Sequence, residues 1–408
     1  MPRFDQTVVM LTPHGDPLGR IGEPDIGGQC VYVRELSAHL AKTGWRVVAL
    51  TRDRCDGRPK RESIAPGADV VRIRCGPPGF IPKEQLPPYL EEFASNARLA
   101  LPPSRLFHSH YWDGAYVASR LRTREHWIHT SHSVGKLKQA AVPEDIHGSY
   151  KERIEIESKA YQHCDAITAL TERERANIVS LYGIDMDKIQ VVPPGVNTER
   201  FRPVISKPNL RYALDLPDAP TVFSLGRLDP RKGFDLLFEA IGLLWQERAI
   251  ERLSLVFSAG AGAPEEEAEA DRLKQIIERQ GFSDWLTWLP VLDQEKIPSY
   301  YAAADVFVLP SRYEPFGIVM LEAMASEVPP IATMHGGPAR VISDGVDGRL
   351  IDPNDVRSTS RVIVSLLADD SRRISMGKAA RSKVVSSYGW DVIAARNATI
   401  YMEGPNAR

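Results

Sequence analysis

Apolar and polar positions alternate along the chain in two registers. Short, nearly continuous runs of Val, Ile and Leu are separated by stretches where apolar residues return every three or four positions. In the first half the runs are TVVMLT, RVVALT, DVVRIR, RLFHSH, HWIHTS and AITAL, each of strand length and apolar enough to be covered on both faces. Between the first two, Val33, Leu36 and Leu40 recur at helical spacing and Gly44 supplies a stop. Strands alternating with helices predict a parallel sheet with helices on both faces. The pattern breaks at KIQVVPPGVNTERFRP, where Pro193, Pro194, Gly195 and Pro203 punctuate a connector. It restarts with TVFSLGRL, LSLVFSAG, LTWLPV, DVFVLPS, PPIATM and GRLID. Two similar halves predict an α/β protein of two Rossmann-like domains, residues 1–190 and 191–408, facing each other across a cleft. The last stretch, WDVIAARNATIYMEG, is helical, and the pattern leaves open whether it packs on the second domain or back on the first.

Composition narrows the function classes. With 408 residues, 43% hydrophobic and 25% charged, the chain has the make-up of a soluble globular protein. A formal net charge of −2 lacks the basic excess of a nucleic-acid binder. No apolar run reaches the ~20 residues that span a bilayer, and MPRFDQTVVM has no secretory pattern. Cys30, Cys55, Cys75 and Cys164 are scattered without CxxC spacing, which fits a reduced compartment. The expectation is a cytoplasmic protein with neither nucleic-acid nor membrane partners.

Candidate chemistry sits after the strands, because ligands of open parallel sheets bind beyond the strands' C-terminal ends. Gly15 to Gln29 follows the first strand, and Gly27-Gly28 opens the next helix. Glycine there costs a helix roughly 1 kcal/mol relative to alanine. It either makes a turn or lets a ligand approach backbone N–H groups at a helix N-terminus. In SLGRLDPRKGFDLLFEAI, Arg227 ends a strand and Lys232 opens a helix, where a phosphate would lie. In SRYEPFGIVMLEAMASEVPPIAT, Glu314 and Glu322 flank a helix start at Phe316-Gly317. That pair reads as a hydrolase acid and base, as surface capping groups, or as acceptors for sugar and ribose hydroxyls. Asp185-Met186-Asp187 imitates a metal-binding DxD but lies in a connector, and no metal site is expected.

Arg227, Lys232 and the spaced Glu314 and Glu322 resemble the signature of retaining GT-B glycosyltransferases that use nucleotide sugars. DIGGQCVYVRELSAHLA is similar to the branch of sucrose-phosphate synthase, sucrose synthase and mannosylfructose-phosphate synthase, the first being the best match. The resemblance covers nearly the whole chain, and its joint motif set is specific. It implies that Gly28 and Gln29 meet donor phosphates and acceptor, and that Arg227 and Lys232 neutralise the diphosphate leaving group. It assigns the ribose to Glu322, and the transferred hexose to Glu314 and the Phe316-Gly317 amides. His132 in HTSHSVGKLKQ is placed beside the anomeric carbon; a histidine at a strand end is ordinarily structural, and only the surrounding motifs give it this role. No carboxylate is placed as a nucleophile, so the resemblance implies a front-face, oxocarbenium-like route that needs no cofactor.

On the acceptor side, FIPKEQLPPYL, HSHYWDGA, SHSVGKLKQ and YKERIEIE resemble the fructose 6-phosphate site of the sucrose-phosphate synthases. Lys83, Tyr111, Ser133, Lys138, Lys151 and Arg153 stand at or near the matching positions, with Lys83 and Lys151 also readable as solvated surface lysines. The implied reaction transfers glucose from UDP-glucose to fructose 6-phosphate with retention, giving sucrose 6-phosphate and UDP. Sucrose synthase with free fructose, mannosylfructose-phosphate synthase with GDP-mannose, a sugar-nucleotide epimerase and a non-catalytic sugar-binding protein are the competing readings. Arg340 in GGPARV departs from the acidic residue common in relatives. With no phosphatase-like segment after the second domain, the product is expected to leave phosphorylated, to a separate sucrose-phosphate phosphatase.

Overall fold

A computed structural model describes residues 6–20, 23, 25–102, 106–141, 149–260 and 264–403. The chain forms two compact units, Met1–Pro194 with Trp390–Arg408, and Gly195–Gly389.

The first unit is built on eight strands: β1 Gln6–Leu11, β2 Trp45–Asp53, β3 Arg61–Ala65, β4 Ala68–Arg74, β5 Leu106–His110, β6 His126–Thr130, β7 Ala166–Ala169 and β8 Ile189–Val191. Their order is β3-β4-β2-β1-β5-β6-β7-β8, parallel throughout except for the antiparallel β3–β4 pair. The continuous apolar run of β1 follows from burial on both faces. Val8 and Met10 pack with Tyr32, Val33, Leu36 and Leu40 of the helix Gly28–Lys42, while Val9 and Leu11 pack with Phe93, Trp112 and Trp127. Each such side chain, fully buried, contributes roughly 1.5–3 kcal/mol of transfer free energy. β3, with the polar sequence RESIA, lies at the sheet's edge and carries no apolar run to announce it.

The helix Trp390–Met402 belongs to this unit. Its Trp390 ring meets Tyr32 edge-on at 5.3 Å, and Tyr401 meets Trp45 at the same distance. The second unit therefore closes at Gly389, where the hydrophobic pattern alone had run to the chain's end.

The second unit has six strands: β9 Thr221–Leu225, β10 Ser254–Ser258, β11 Leu286–Leu289, β12 Val306–Leu309, β13 Pro330–Thr333 and β14 Arg349–Ile351. All are parallel, in the order β11-β10-β9-β12-β13-β14. Alternate residues again serve opposite faces, Val222, Leu255, Phe257 and Val308 on one and Phe223, Val256, Phe307 and Leu309 on the other. Strand order reverses between β1 and β5 in one sheet and between β9 and β12 in the other. Those two switch points are where such sheets bind ligands. Among the described residues no helix is long and apolar enough to cross a membrane.

Candidate active site

In the second unit the switch point brings together two loops. After β9, Asp229 accepts a hydrogen bond from Arg231 N (2.8 Å) and starts the single turn Pro230–Lys232. Gly233 follows at φ +68°, and a Cβ there would lie 2.2 Å from Pro310 O, so only glycine lets this turn press against the loop after β12. The contact is closed by Arg312 N donating to Arg231 O (2.9 Å) and by the Arg312 guanidinium bonded twice to Asp235 (2.9 and 2.7 Å). It delivers Lys232 Nζ to within 2.8 Å of Glu314 Oε2, which also accepts from Ser311 Oγ at 3.2 Å.

Glu314 is held from behind by backbone. Its N–H donates to His335 O (3.0 Å) and its carbonyl accepts from Gly337 N (2.8 Å). Gly336, at φ +119°, sits where a Cβ would come within 2.1 Å of Glu314 O. Gly317, at φ +90°, caps the helix Ile318–Ala325, with Phe316 half-buried before it. Glu322 lies within that helix and accepts from Tyr301 Oη at 2.9 Å. Burial pushes its carboxyl up to about 7, against the opposing pull of Tyr301 and Arg200. Arg227 is exposed and its guanidinium has no partner among the described residues. Arg340 is also exposed.

In the first unit, the loop after β1 turns back through Thr12, whose hydroxyl donates to Gly15 O and accepts from Gln29 Nε2, each at 3.0 Å. Gly27 has φ −153°, extended backbone, and a Cβ at Gly27 or Gly28 would meet nothing within 4 Å. The conformation does not demand glycine; the glycines leave open space at a helix N-terminus. Asp25 anchors this loop by accepting from Lys83 N (3.0 Å) and Lys83 Nζ (2.6 Å). Glu84 lies 3.1 Å from the same ammonium. Against burial, which alone would lower it, these carboxylates hold the Lys83 ammonium above its ordinary value. Lys83 is thus committed to Asp25, and residues 21, 22 and 24 of the loop lie outside the described set.

The ends of β5 and β6 carry a polar cluster. Tyr111 and His132 both adopt left-handed backbone, at φ +65° and +56°, a conformation uncommon outside glycine and characteristic of functional sites. Arg153, buried on the helix Ser149–His163, donates Nε to Glu157 (2.7 Å) and NH1 to Tyr111 Oη (2.7 Å). Its NH2 donates to Ser133 O (2.8 Å) and Ser133 Oγ (3.0 Å). The guanidinium thus donates to both hydroxyls, and Ser133 also bonds to the Tyr111 hydroxyl. Tyr111, Trp112, Tyr150, Arg153 and Lys138 line a pocket with Glu84 and Pro87. Lys138 is exposed as a residue, yet burial about its ammonium, then the Arg153 and Lys83 charges, push it down to about 8. Lys151 is exposed and is not among the lining residues. Asp185 accepts from Asp187 N (3.0 Å) at the turn Met186–Lys188 ahead of β8, a local cap.

Several neighbours carry no signal of their own in the sequence. Asp25 and Ser311 lie inside quoted motifs, yet only the fold shows their partners. His110 bonds to His132 (Nδ1 to Nε2, 3.0 Å). Asp113, fully buried, accepts from both His14 N and His14 Nδ1 at 2.8 Å. Pairings 22 and 99 residues apart cannot be read from spacing.

The family model described as "Glycosyl transferases group 1" matches residues 206–383, and that described as "Glycosyltransferase Family 4" matches residues 26–200. The chain is 33% identical to a D-inositol 3-phosphate glycosyltransferase of Streptomyces scabiei, over 98% of this chain and 91% of the other. It is 32% identical to the mannosylfructose-phosphate synthase of Agrobacterium fabrum, over 95% and 89%. Among solved structures, sucrose-phosphate synthase from Thermosynechococcus elongatus superposes with a TM-score of 0.83 at 30% identity, covering 99% of this chain and 100% of that one. Two Rossmann-like units with parallel sheets, matched over nearly their whole length, place the chain in the group 1 glycosyltransferases of GT-B fold.

Proposed function

We propose that this glycosyltransferase moves glucose from UDP-glucose to fructose 6-phosphate with retention, releasing sucrose 6-phosphate and UDP. The observation that carries the reading is the Tyr111–Ser133–Arg153 cluster beside Lys138. Two polarised hydroxyls, a buried guanidinium and the Lys138 ammonium, which outnumber the Glu84 and Glu157 carboxylates only with the hydroxyls counted as donors, support recognition of a phosphate. A charge-assisted hydrogen bond contributes roughly 1.5–3 kcal/mol, so two of them favour a phosphorylated over a plain acceptor by about 10²- to 10⁴-fold. The reading is supported by relatives named for an inositol 3-phosphate, a mannosylfructose phosphate and a sucrose phosphate.

Donor binding is assigned to the second unit. Arg227 and Lys232 meet the diphosphate, Glu322 the ribose, and Glu314 with the Phe316-Gly317 amides the hexose. The barrier to glycosyl transfer is departure of the diphosphate, so catalysis is mainly electrostatic. This reading asks for no bound cofactor. In the first unit, His132 is assigned a role toward the transferred sugar, and Gly28 and Gln29 a role at the open space before the first helix. The product keeps its phosphate, and a separate sucrose-phosphate phosphatase is the partner activity it calls for.

A second reading takes inositol 3-phosphate as acceptor, favoured by the Streptomyces scabiei relative at 33% identity. A grid of UDP-, ADP- and GDP-sugars against fructose, fructose 6-phosphate and inositol 3-phosphate separates the readings. Product formation from UDP-glucose and fructose 6-phosphate alone supports the first. Turnover confined to inositol 3-phosphate replaces it with the second.

A further inference from the structure

We propose that His110 is a positioning residue that fixes His132 in the tautomer carrying its proton on Nδ1. The role of His132 toward the hexose rests on the function proposed above; the tautomer itself does not.

The argument is one of hydrogen-bond accounting. His110 ends β5 and is fully buried, and its Nδ1 lies 3.0 Å from His132 Nε2. Its other nitrogen, Nε2, is buried without a partner. The neighbouring imidazole cannot supply one. His108 lies against His110 with ring centroids 4.1 Å apart, but its nitrogens are already bonded to Tyr401 Oη (2.6 Å) and Thr130 Oγ1 (2.7 Å). Burial, followed by the surrounding imidazoles, holds both His110 and His132 well below the ordinary histidine value, so each ring is neutral and carries one N–H.

Two arrangements of those protons are possible. If His132 donated Nε2–H to His110, the His110 proton would sit on Nε2 as a buried N–H with no acceptor. If His110 donates Nδ1–H to His132, His110 Nε2 is left as a bare lone pair. An orphaned buried N–H is the rarer and costlier state, so His110 is the donor. His132 then accepts at Nε2 and keeps its proton on Nδ1, as a partner at one ring nitrogen dictates the state of the other. The ring is held in place by the edge contact with Tyr32 at 5.1 Å. His132 is half-buried, and its Nδ1 has no hydrogen-bond partner among the described residues. It therefore offers a donor to a hydroxyl or developing oxyanion and is unsuited to act as a base.

The test is the two-bond ¹H–¹⁵N spectrum of the ¹⁵N-histidine-labelled protein, with His132 assigned by the signals lost in His132→Gln. The expected result is a protonated Nδ1 and a bare Nε2 in the wild type. His110→Asn places an amide donor near the position of Nδ1 and should keep that tautomer, whereas His110→Leu removes the donor and leaves His132 Nε2 without the bond that fixes the ring. The Leu variant should lose kcat by roughly tenfold, the scale of one hydrogen bond, with acceptor KM unchanged and with rescue by Asn. A wild-type proton on Nε2, or a wild-type kcat in His110→Leu, overturns the proposal. The wild-type spectrum decides even where a variant does not fold. A correct tautomer in a protein without the proposed transfer activity counts against the functional reading and not against this one.

Discussion

Lys232 Nζ lies 2.8 Å from Glu314 Oε2, so in the substrate-free protein the cation assigned to the diphosphate is neutralised by the carboxylate assigned to the hexose. Their side chains are only 16% and 10% exposed, which makes the pair partly desolvated. Lys232→Ala should cost about 1–3 kcal/mol of stability, because it strands Glu314. Arg227→Ala, at an exposed side chain without a partner, should stay within about 0.5 kcal/mol. Both should lower turnover by on the order of 10²-fold or more at saturating UDP-glucose. Denaturant midpoints and kcat measured on the two variants check the contrast; near-wild-type kcat in both removes the leaving-group role.

Glu322 gives a pH signature. Its carboxyl is raised by burial from 4.5 to about 7, so between those values the native state keeps a proton that the unfolded chain has released. Stability contributed by this group is therefore present at low pH and falls as pH rises through that window. Glu322→Gln keeps an acceptor for Tyr301 and removes the charge. Its Tm should exceed that of the wild type at pH 8, with the gap narrowing toward pH 5. UDP binding by calorimetry should nevertheless weaken, by roughly tenfold for one lost charge-assisted bond to the ribose. A variant with lower Tm at pH 8 and unchanged UDP affinity contradicts both assignments.

Lys83 was expected at the acceptor phosphate, yet it is bonded to Asp25 through both its ammonium and its backbone N–H. Its effect on catalysis should therefore pass through the loop that leads to Gly28. A double-mutant cycle of Lys83→Ala and Asp25→Ala in kcat/KM should show a coupling of about 0.5–3 kcal/mol. Independent, additive losses would instead return Lys83 to direct phosphate contact.

Much of the architecture was legible because β1, β2, β9 and β12 are buried on both faces and so read as unbroken apolar runs. β3 was not, since an edge strand needs no apolar pattern. The helix Trp390–Met402 was recognisable as a helix, but its partners Tyr32 and Trp45 lie more than 300 positions away, so its unit could not be read locally. Arg227, Lys232, Glu314 and Glu322 are candidates by residue type and position after strands, and the fold brings Lys232 and Glu314 into contact. Gly336 was passed over within GGPARV, because its requirement comes from Glu314 O pressing on it across another loop. Arg153 and Lys151 looked alike in YKERIEIE; only burial and the hydroxyls of Tyr111 and Ser133 separate the first from the second.

Arg153, Tyr111, Ser133 and Lys138 are proposed as the receptor for the acceptor's phosphate, and a comparison of two acceptors tests that role. Initial rates are measured with UDP-glucose and either fructose 6-phosphate or fructose, in the wild type and in Lys138→Ala. The wild type should prefer the phosphorylated sugar in kcat/KM by about 10²- to 10⁴-fold. Lys138→Ala should erode that preference while leaving the KM for UDP-glucose nearly unchanged. Equal use of fructose and fructose 6-phosphate by the wild type, or a preference untouched by the Lys138 substitution, would contradict it.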